Sequence, residues 1–302
     1  ATLADLPKSV PGIDIIETLV IDDGSREGTA EVARQLGVNH IVRLTANKGL
    51  AAAFITGIDA ALKQGADFIV NTDADNQYSG QEIPKLLEPL LSGKADIVIG
   101  DRNIAELEHM SWLKRQLQRL GSWVVRQVSN TKVPDKTSGF RAYTREAALR
   151  MTIVSEFSYT LESIIQAGKK RMAIAHVPVA TNPRTRESRL FDSMGAYIKR
   201  SAATIVRIYT MYEPLKVFSY IGVALFAAGL LLSLRFLYNY FTDFTGGGRF
   251  VQSLIVSAVL MIVGFQIVLI GLLADVISAN RKLLEDLVYR IRKIELRDRE
   301  NG

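Results

Sequence analysis

Two long apolar stretches near the C-terminus constrain this chain more than any other feature. Residues 217–240 read VFSYIGVALFAAGLLLSLRFLYNY, with Arg235 as their one charge, and residues 251–274 read VQSLIVSAVLMIVGFQIVLIGLLA, with none. A helix of that length spans about 36 Å, which exceeds the roughly 30 Å of a bilayer core. The pattern predicts two transmembrane helices, and the alternative is a pair of helices buried in a soluble core.

The overall composition is that of a folded protein. Of the 302 residues, 48% are hydrophobic and 23% are charged, which excludes disorder for the bulk of the chain. The chain has no cysteine and 3 histidines. Disulfide frameworks, thiolate metal sites and a cysteine nucleophile are therefore excluded, and a histidine-rich metal site is not expected. The first residues are too polar for a secretory signal.

Basic residues beside the apolar stretches predict their orientation. Residues 182–216 carry seven basic and three acidic residues, and a second basic cluster follows residue 280. By the positive-inside rule, both long flanks and both termini lie in the cytoplasm, and the link at 241–250 lies outside. The first basic flank is expected to contact anionic lipid headgroups. No nucleic-acid motif accompanies the net charge of +6, so nucleic acid is not an expected partner.

The residues before the first apolar stretch alternate between strand and helix patterns. Such alternation is typical of a parallel α/β sheet covered by helices on both faces. Predicted strands lie at 15–21, 40–44, 68–71 and 97–100, and predicted helices at 27–36, 50–63 and 81–91.

Apolar residues from Phe191 to Tyr212 recur every three or four positions beside basic residues. This pattern predicts a helix along the membrane surface, or alternatively a helix packed on the α/β domain. The predicted segments are an α/β domain at 1–190, amphipathic interface helices at 191–216, transmembrane helices at 217–240 and 251–274, and a cytoplasmic C-terminal helix at 275–302.

Polar clusters follow three of the predicted strands, and in an open α/β sheet ligands bind beyond the carboxyl ends of the strands. Asp73 and Asp75 follow one strand two residues apart, so their carboxylates lie near each other and repel unless a cation is present. Hard oxygen ligands suit Mg²⁺ or Mn²⁺. The other two clusters are DDGS at 22–25 and GDR at 100–102.

Five motifs, in this order and spacing, resemble those of the family 2 glycosyltransferases with the GT-A fold. They are DDGS at 22–25, NKGL at 47–50, DADNQ at 73–77, GDR at 100–102 and DKTSGFR at 135–141. With two spans behind them, the chain looks like a polyprenyl-phosphate glycosyltransferase, the group that includes dolichyl-phosphate mannose synthase and bacterial undecaprenyl-phosphate sugar transferases. The resemblance implies a Rossmann-like, mostly parallel sheet in the catalytic domain, interface helices and a two-helix transmembrane hairpin in the inner (cytoplasmic) membrane.

The resemblance implies a nucleotide site at the first two motifs and the start of the third. Asp23 resembles the aspartate that binds the nucleobase of the donor, and Asp73 resembles the residue that contacts the ribose. Lys48 stands where the family often has a basic residue near the nucleotide. Asp22 is a further candidate for this site, and the alternative is that it only caps a helix.

The resemblance also implies a catalytic centre. Asp75 and Gln77 match the ligands of a Mg²⁺ or Mn²⁺ ion that holds the donor diphosphate. Arg102 matches a basic residue that faces the phosphates, and Ser138 and Arg141 lie near the acceptor phosphate. The predicted catalytic residues are therefore Asp75, Arg102, Ser138 and Arg141.

A basic loop is expected to close over the donor and bind phosphate. In this chain the loop lacks the glycine that the family usually has. The family usually begins with a strand and a Pro-x-x-Asn-Glu segment, and the first residues of this sequence resemble the helix that would follow them. The matching residues of the loop are Arg184, Arg186, Ser188 and Arg189.

The implied partners are a nucleotide-sugar donor, a polyprenyl phosphate acceptor and the bilayer. A phosphate monoester is largely a dianion at neutral pH, so it can attack the sugar without a general base, and the reaction inverts the anomeric centre. The alternatives are a membrane polysaccharide synthase, a non-catalytic scaffold and a nucleotidyltransferase. The first needs more spans and a Gln-x-x-Arg-Trp motif, which this sequence lacks.

Two patterns in the C-terminal part predict a homo-oligomer. One is a seam of small residues at seven-residue intervals, which lets helices approach closely in lipid. The other is a stripe with the a/d spacing of a coiled coil, and the alternative is that this stripe folds back onto the α/β domain of the same chain. The seam comprises Ser257, Gly264, Gly271 and Ser278, and the stripe comprises Ile277, Asn280, Leu284, Leu287, Ile291 and Ile294.

Overall fold

The computed structural model describes residues 2–102, 116, 138–153, 159–182, 203, 206–207, 209–242 and 251–301. The chain divides into two compact units, Ala1–Ala203 with Glu285–Gly302, and Thr204–Leu284. The basic loop predicted at 184–189 lies outside the described residues, as does most of the interface segment predicted at 191–216.

A two-stranded parallel sheet opens the first unit, after a short helix α1 (Thr2–Asp5). Strand β1 (Leu19–Asp22) pairs with β2 (His40–Arg43), and helix α2 (Thr29–Gln35) connects them. The strand predicted at 15–21 begins four residues late, because β2 pairs only with residues 19–22. Helix α3 (Leu50–Lys63) buries one face at the helical spacing, through Ala51, Phe54, Ile58 and Leu62.

A four-stranded sheet forms the centre of the first unit, in the order β3-β5-β4-β6. Strands β3 (Phe68–Asn71), β4 (Ile97–Asp101) and β6 (Ile174–Pro178) run in one direction, and β5 (Arg141–Thr144) runs antiparallel between β3 and β4. The sequence predicted neither β5 nor β6. Because β5 is antiparallel, it begins at the edge where β3 and β4 end, and its register sets Arg141 beside Asn71.

Helices cover this sheet. A 3₁₀ turn at Gly80–Glu82 leads into α4 (Ile83–Leu91), whose buried face packs in one core with β4 and β5. Helices α5 (Arg145–Arg150) and α6 (Tyr159–Lys169) follow β5 along the chain. The side chain of Thr144 caps α5 by accepting a hydrogen bond from the amide of Ala147.

The second unit contains two helices that are long and apolar enough to cross a membrane, α7 (Pro214–Thr242) and the first part of α8 (Val251–Asn301). Small residues bring them together. A Cβ atom on Gly264 would lie 2.7 Å from the carbonyl oxygen of Gly222, and Ser257 donates a hydrogen bond of 2.8 Å to the carbonyl of Gly229. The predicted seam therefore packs α8 against α7 of the same chain. The small-residue spacing predicts a contact between chains, and in the structure the preceding helix takes that place.

Helix α8 continues without interruption from the second apolar stretch through most of the C-terminal helix predicted at 275–302, and it ends at Asn301. From Glu285 onward it packs on the first unit. Glu285 pairs with Lys170 at 3.2 Å, and Arg292 donates to the carbonyl of Met151 at 2.7 Å.

The stripe with coiled-coil spacing lies on another face of α8 and is exposed. Each of its five apolar side chains is more than half exposed, from 53% at Leu287 to 69% at Ile277. The face that contacts the α/β unit is thus different from the predicted stripe, and the stripe itself has not folded back.

We expect Gly264→Val to destabilise the hairpin, because the added side chain would overlap the backbone of Gly222. Overpacking of this kind costs about 1–3 kcal/mol. The thermal unfolding midpoint in detergent micelles would fall, whereas the neighbouring control Val263→Leu, on an exposed face, would leave it unchanged. Equal midpoints for the two variants would contradict the close packing.

Candidate active site

The sheet edge brings four predicted site residues within electrostatic range of one another. Burial raises the pKa of the Asp73 carboxyl, and the nearby Asp75 carboxylate raises it further. Arg102 and Arg141 both act in the opposite direction. The carboxylate pair and the two guanidinium groups therefore form one cluster at the ends of β3, β4 and the start of β5.

Gly139 lies between Asp73 and a second polar side chain, Tyr159. A Cβ atom on Gly139 would lie 2.8 Å from an Asp73 carboxylate oxygen and 2.9 Å from the Tyr159 hydroxyl. Asn71 donates through Nδ2 to the carbonyl of Gly139 at 2.7 Å and to the Tyr159 hydroxyl at 3.2 Å. The absence of a side chain at Gly139 thus permits three polar groups to meet at one point.

Tyr159 is held firmly in this position. Its ring stacks on Phe54 with 4.1 Å between centroids, and its side chain is buried. Burial raises the pKa of the Tyr159 hydroxyl, so the group stays protonated and can donate one hydrogen bond and accept another. Tyr159 was not predictable as a site residue, because it lies outside all five motifs.

Tyr78 links the two motifs that meet here. Its hydroxyl accepts a hydrogen bond from the amide of Gly139 at 3.3 Å, and its ring stacks on Phe140 at 5.0 Å. The Arg102 guanidinium lies over the Tyr78 ring, and its central carbon is 5.8 Å from the ring centroid. Sequence reasoning missed Tyr78, although an aromatic residue directly after the DADNQ motif was a usable signal.

Arg141 is completely buried, and its guanidinium group donates hydrogen bonds to other residues of the protein. Its Nε donates to the carbonyl of Ser138 at 2.8 Å, and its Nη1 donates to the carbonyl of Thr160 at 2.8 Å and to Ser163 Oγ at 2.6 Å. Ser138 is buried as well. These contacts fix the SGF segment and α6 to each other, and contact of either side chain with an acceptor phosphate stays a prediction.

The loop with Asp75 and Gln77 offers oxygen ligands to a divalent cation. Asp75 is exposed, and its Oδ1 accepts the amide of Gln77 at 2.9 Å, which leaves its Oδ2 toward solvent or a ligand. Among the residues that the structure describes, no group of three or more His, Cys, Asp or Glu could hold a metal ion. Mg²⁺ in proteins is usually held by one or two protein oxygens, and phosphate oxygens and water complete its coordination shell. A cation would also relieve the repulsion between the Asp73 and Asp75 carboxylates. The donor set therefore fits.

The predicted nucleotide residues lie at the end of β1. Asp23 accepts two backbone hydrogen bonds from the second motif, from Lys48 at 2.8 Å and from Gly49 at 2.9 Å. Asp22 is buried and accepts from the amide of Ser25 at 2.8 Å. That bond lowers the pKa of the Asp22 carboxyl, and the nearby Arg43 lowers it further. Asp22 thus stabilises its own turn, and its contact with a nucleotide stays a prediction.

Comparison with known families identifies the chain. Residues 2–151 match the family model described as "Glycosyl transferase family 2", and residues 213–279 match the one described as "GtrB C-terminal hairpin". The chain therefore belongs to the family 2 glycosyltransferases, as its motifs predicted, and its α/β unit is a GT-A domain. Enzymes of this family generally use a divalent metal ion. The matched hairpin, with its two exposed apolar helices, makes this a membrane protein.

Several named proteins resemble the chain. Glycosyltransferase AglJ of Haloferax volcanii is 28% identical over 305 residues, which cover 97% of this chain and 94% of that protein. The polyprenol monophosphomannose synthase of Mycolicibacterium smegmatis is 27% identical, covering 56% of this chain and 68% of that protein. The undecaprenyl-phosphate mannosyltransferase of Micrococcus luteus is 28% identical, covering 59% of this chain and 75% of that protein.

We expect Gly139→Ala to weaken donor binding, because the new methyl group would displace the Asp73 carboxylate and the Tyr159 hydroxyl. The Michaelis constant for the donor should rise by about tenfold, which corresponds to about 1.4 kcal/mol. Asp14→Ala, at an exposed position elsewhere in the same unit, is a suitable control. An unchanged Michaelis constant for the donor in Gly139→Ala would contradict this role of Gly139.

Proposed function

We propose that this chain transfers a sugar from a nucleotide-diphosphate donor to a polyprenyl phosphate in the membrane, with inversion at the anomeric carbon. The observation that supports this most directly is the cluster of Asp73, Asp75 and Arg102 at one sheet edge, in a chain that also carries an apolar hairpin. Two of the similar proteins are named for transfer to polyprenol or undecaprenyl phosphate.

The donor would lie along the ends of β1 and β3. In this proposal Asp23 and Lys48 contact the nucleobase end, Asp73 contacts the ribose, and Asp22 supports the turn beneath them. The tie between Asp23 and the amides of Lys48 and Gly49 supports the arrangement, since it fixes two motifs of the nucleotide site against each other. The basic loop with Arg184, Arg186, Ser188 and Arg189 would cover the diphosphate.

Asp75 and Gln77 would hold Mg²⁺ or Mn²⁺ against the donor diphosphate. When bound, a divalent cation offsets the negative charge that the departing nucleoside diphosphate acquires. Arg102 supplies a second positive charge at the same edge, and its position over the Tyr78 ring orients it there. Arg141 and Ser138 support the acceptor side by fixing the SGF segment.

The acceptor phosphate needs no proton removed before it reacts, because its second pKa of about 6 leaves it largely dianionic at neutral pH. One of its oxygens forms the new bond to the anomeric carbon. The bond from that carbon to the donor diphosphate breaks, and its electron pair leaves with the nucleoside diphosphate. Attack from the face opposite the leaving group inverts the centre, and the enzyme contributes mainly alignment and charge.

The membrane position is part of the proposal. The product keeps its lipid in the bilayer, so a catalytic domain attached to a hairpin reaches its acceptor without releasing it. We place the protein in the inner (cytoplasmic) membrane as a multi-pass protein, with the catalytic domain and both termini cytoplasmic, because the basic flanks favour that orientation.

The test is transfer of a labelled sugar by membranes that contain the protein. Membranes would receive undecaprenyl or dolichyl phosphate and a panel of labelled UDP- and GDP-sugars. The expected result is label in an organic-soluble product with one donor, and its release as free sugar by mild acid. Label that appears only in polymer, or in no lipid with any donor of the panel, would contradict the proposal.

We expect Asp75→Asn to lower transfer by at least 100-fold while the protein stays folded, because a neutral amide is a poor ligand for a hard cation. Wild-type transfer should likewise stop in EDTA and return with excess Mg²⁺ or Mn²⁺. Asp14→Asn removes an exposed carboxylate elsewhere in the same unit and is the matched control. Full activity of Asp75→Asn, or of the wild type in EDTA, would refute the metal role.

We also propose that the protein forms a homo-oligomer. The exposed apolar stripe of α8 supports this proposal. Leu287→Ser combined with Ile291→Ser alters two exposed stripe positions and leaves the contacts of Glu285 and Arg292 in place. We expect the mass in detergent to fall relative to the wild type and to the control Asp286→Ser, an exposed neighbour. A monomeric wild type, or an unchanged mass in the double variant, would contradict this proposal.

A further inference from the structure

The loop at residues 74–80, which carries Asp75 and Gln77, is held at both ends by helix α1. Thr2 Oγ1 donates a hydrogen bond of 3.0 Å to the carbonyl of Ala74, just before the proposed metal ligand. Asp5 Oδ2 accepts the amide of Gly80 at 2.7 Å, at the far end of the loop. A helix of four residues thus contacts both sides of the loop.

The contact at Gly80 is close, and it depends on the absence of a side chain. A Cβ atom on Gly80 would overlap the carbonyl group of Asp5. Gln81 reaches the same carbonyl through Nε2 at 3.4 Å. The backbone of α1 therefore lies directly against the exit of the loop, and Asp5 is fixed there by its main chain as well as by its side chain.

Asn182 holds the middle of the loop. Its Nδ2 donates to the carbonyl of Asn76 at 3.0 Å, and its amide donates to the carbonyl of Gln77 at 2.9 Å. Thr181 pairs with Tyr78 in an isolated antiparallel bridge. In the sequence, Asn182 lies two residues before Arg184, the first residue of the basic loop expected to bind phosphate.

This bracing matters because the loop has a conformation that a free chain would not keep. Asn76, between the two proposed ligands, has a φ of 58°, in the left-handed region that non-glycine residues seldom occupy. Fixing each residue of an unbraced loop costs conformational entropy at the moment of binding. Hydrogen bonds that hold the loop beforehand remove part of that cost from ligand binding.

We propose that Asp5 and Asn182 are positioning residues that hold the 74–80 loop in the conformation that receives the cation and the donor diphosphate. The inference rests on the proposed metal role of Asp75. Asp5 acts as a hydrogen-bond acceptor for Gly80, so its negative charge is dispensable, in contrast to the charge of a metal ligand. This difference makes the two roles separable by substitution.

The experiment measures Mn²⁺-dependent binding of UDP and GDP to the full-length protein in detergent by calorimetry, without turnover. Asp5→Ala and Asn182→Ala should raise the half-saturating Mn²⁺ concentration for nucleotide binding by about fivefold. In a separate transfer assay at saturating Mn²⁺, their kcat should stay within twofold of the wild type. Asp5→Asn keeps an acceptor for the Gly80 amide and should stay within twofold of the wild type. Asp14→Asn and Asn39→Ala are the controls, and Asn39 accepts a comparable backbone hydrogen bond, from Thr18, outside the loop.

The outcomes separate this inference from the function on which it rests. If nucleotide binding by the wild type is independent of Mn²⁺, the metal site and the bracing role fall together. The metal role stands if nucleotide binding depends on Mn²⁺ in the wild type and not in Asp75→Asn. If Asp5→Ala and Asn182→Ala then match their controls, only the bracing role is overturned. Equal losses in Asp5→Ala and Asp5→Asn would also overturn it, because charge would then be what matters. Should Asp5→Ala fail to fold, Thr2→Val tests the same brace from the other end of the loop.

Discussion

Two carboxylates at the end of one strand repel each other, and the surrounding residues are arranged to tolerate that repulsion. Asp73 is shielded from water, which makes its charge costly, and Asp75 beside it adds to the cost. Arg102 and Arg141 offset part of it from the neighbouring strands. In the proposed function, the negative charge that is not offset would favour binding of a divalent cation, because carboxylates neutralised by their own protein would have little affinity for one.

The antiparallel direction of strand β5 determines which residues meet at this sheet edge. A wholly parallel sheet would begin every strand at the opposite edge, far from the residues that follow β3 and β4. Since β5 runs the other way, the SGF segment arrives at the edge where Asp73 lies, and Gly139 can sit between that carboxylate and Tyr159. Buried Arg141 then secures the segment to α6 through backbone carbonyls, which makes its role in this structure architectural.

Motifs at strand ends were predictable from the sequence, because a run such as FIVN followed by acidic residues specifies both a buried strand and a polar edge. The family was predicted from the order and spacing of five motifs, and the two apolar helices from the length of two nearly uncharged stretches. The comparisons confirm both predictions. Tyr78, Tyr159 and the brace from α1 were not, since each depends on contacts between segments about 60 to 90 residues apart. The small-residue seam was recognised correctly as a packing surface, but spacing alone does not reveal whether its partner is another chain or the preceding helix.

The hairpin seam has a consequence for adaptation to different membranes. Helices α7 and α8 approach each other most closely at glycines and at two serines, Ser233 and Ser257, whereas many of their bulky apolar residues are exposed on other faces. The size of those bulky residues and the length of the apolar span can therefore vary without weakening the contact between α7 and α8. One hairpin design can therefore serve bilayers of different thickness, with tilt absorbing the mismatch at a cost of fractions of a kcal/mol per Å.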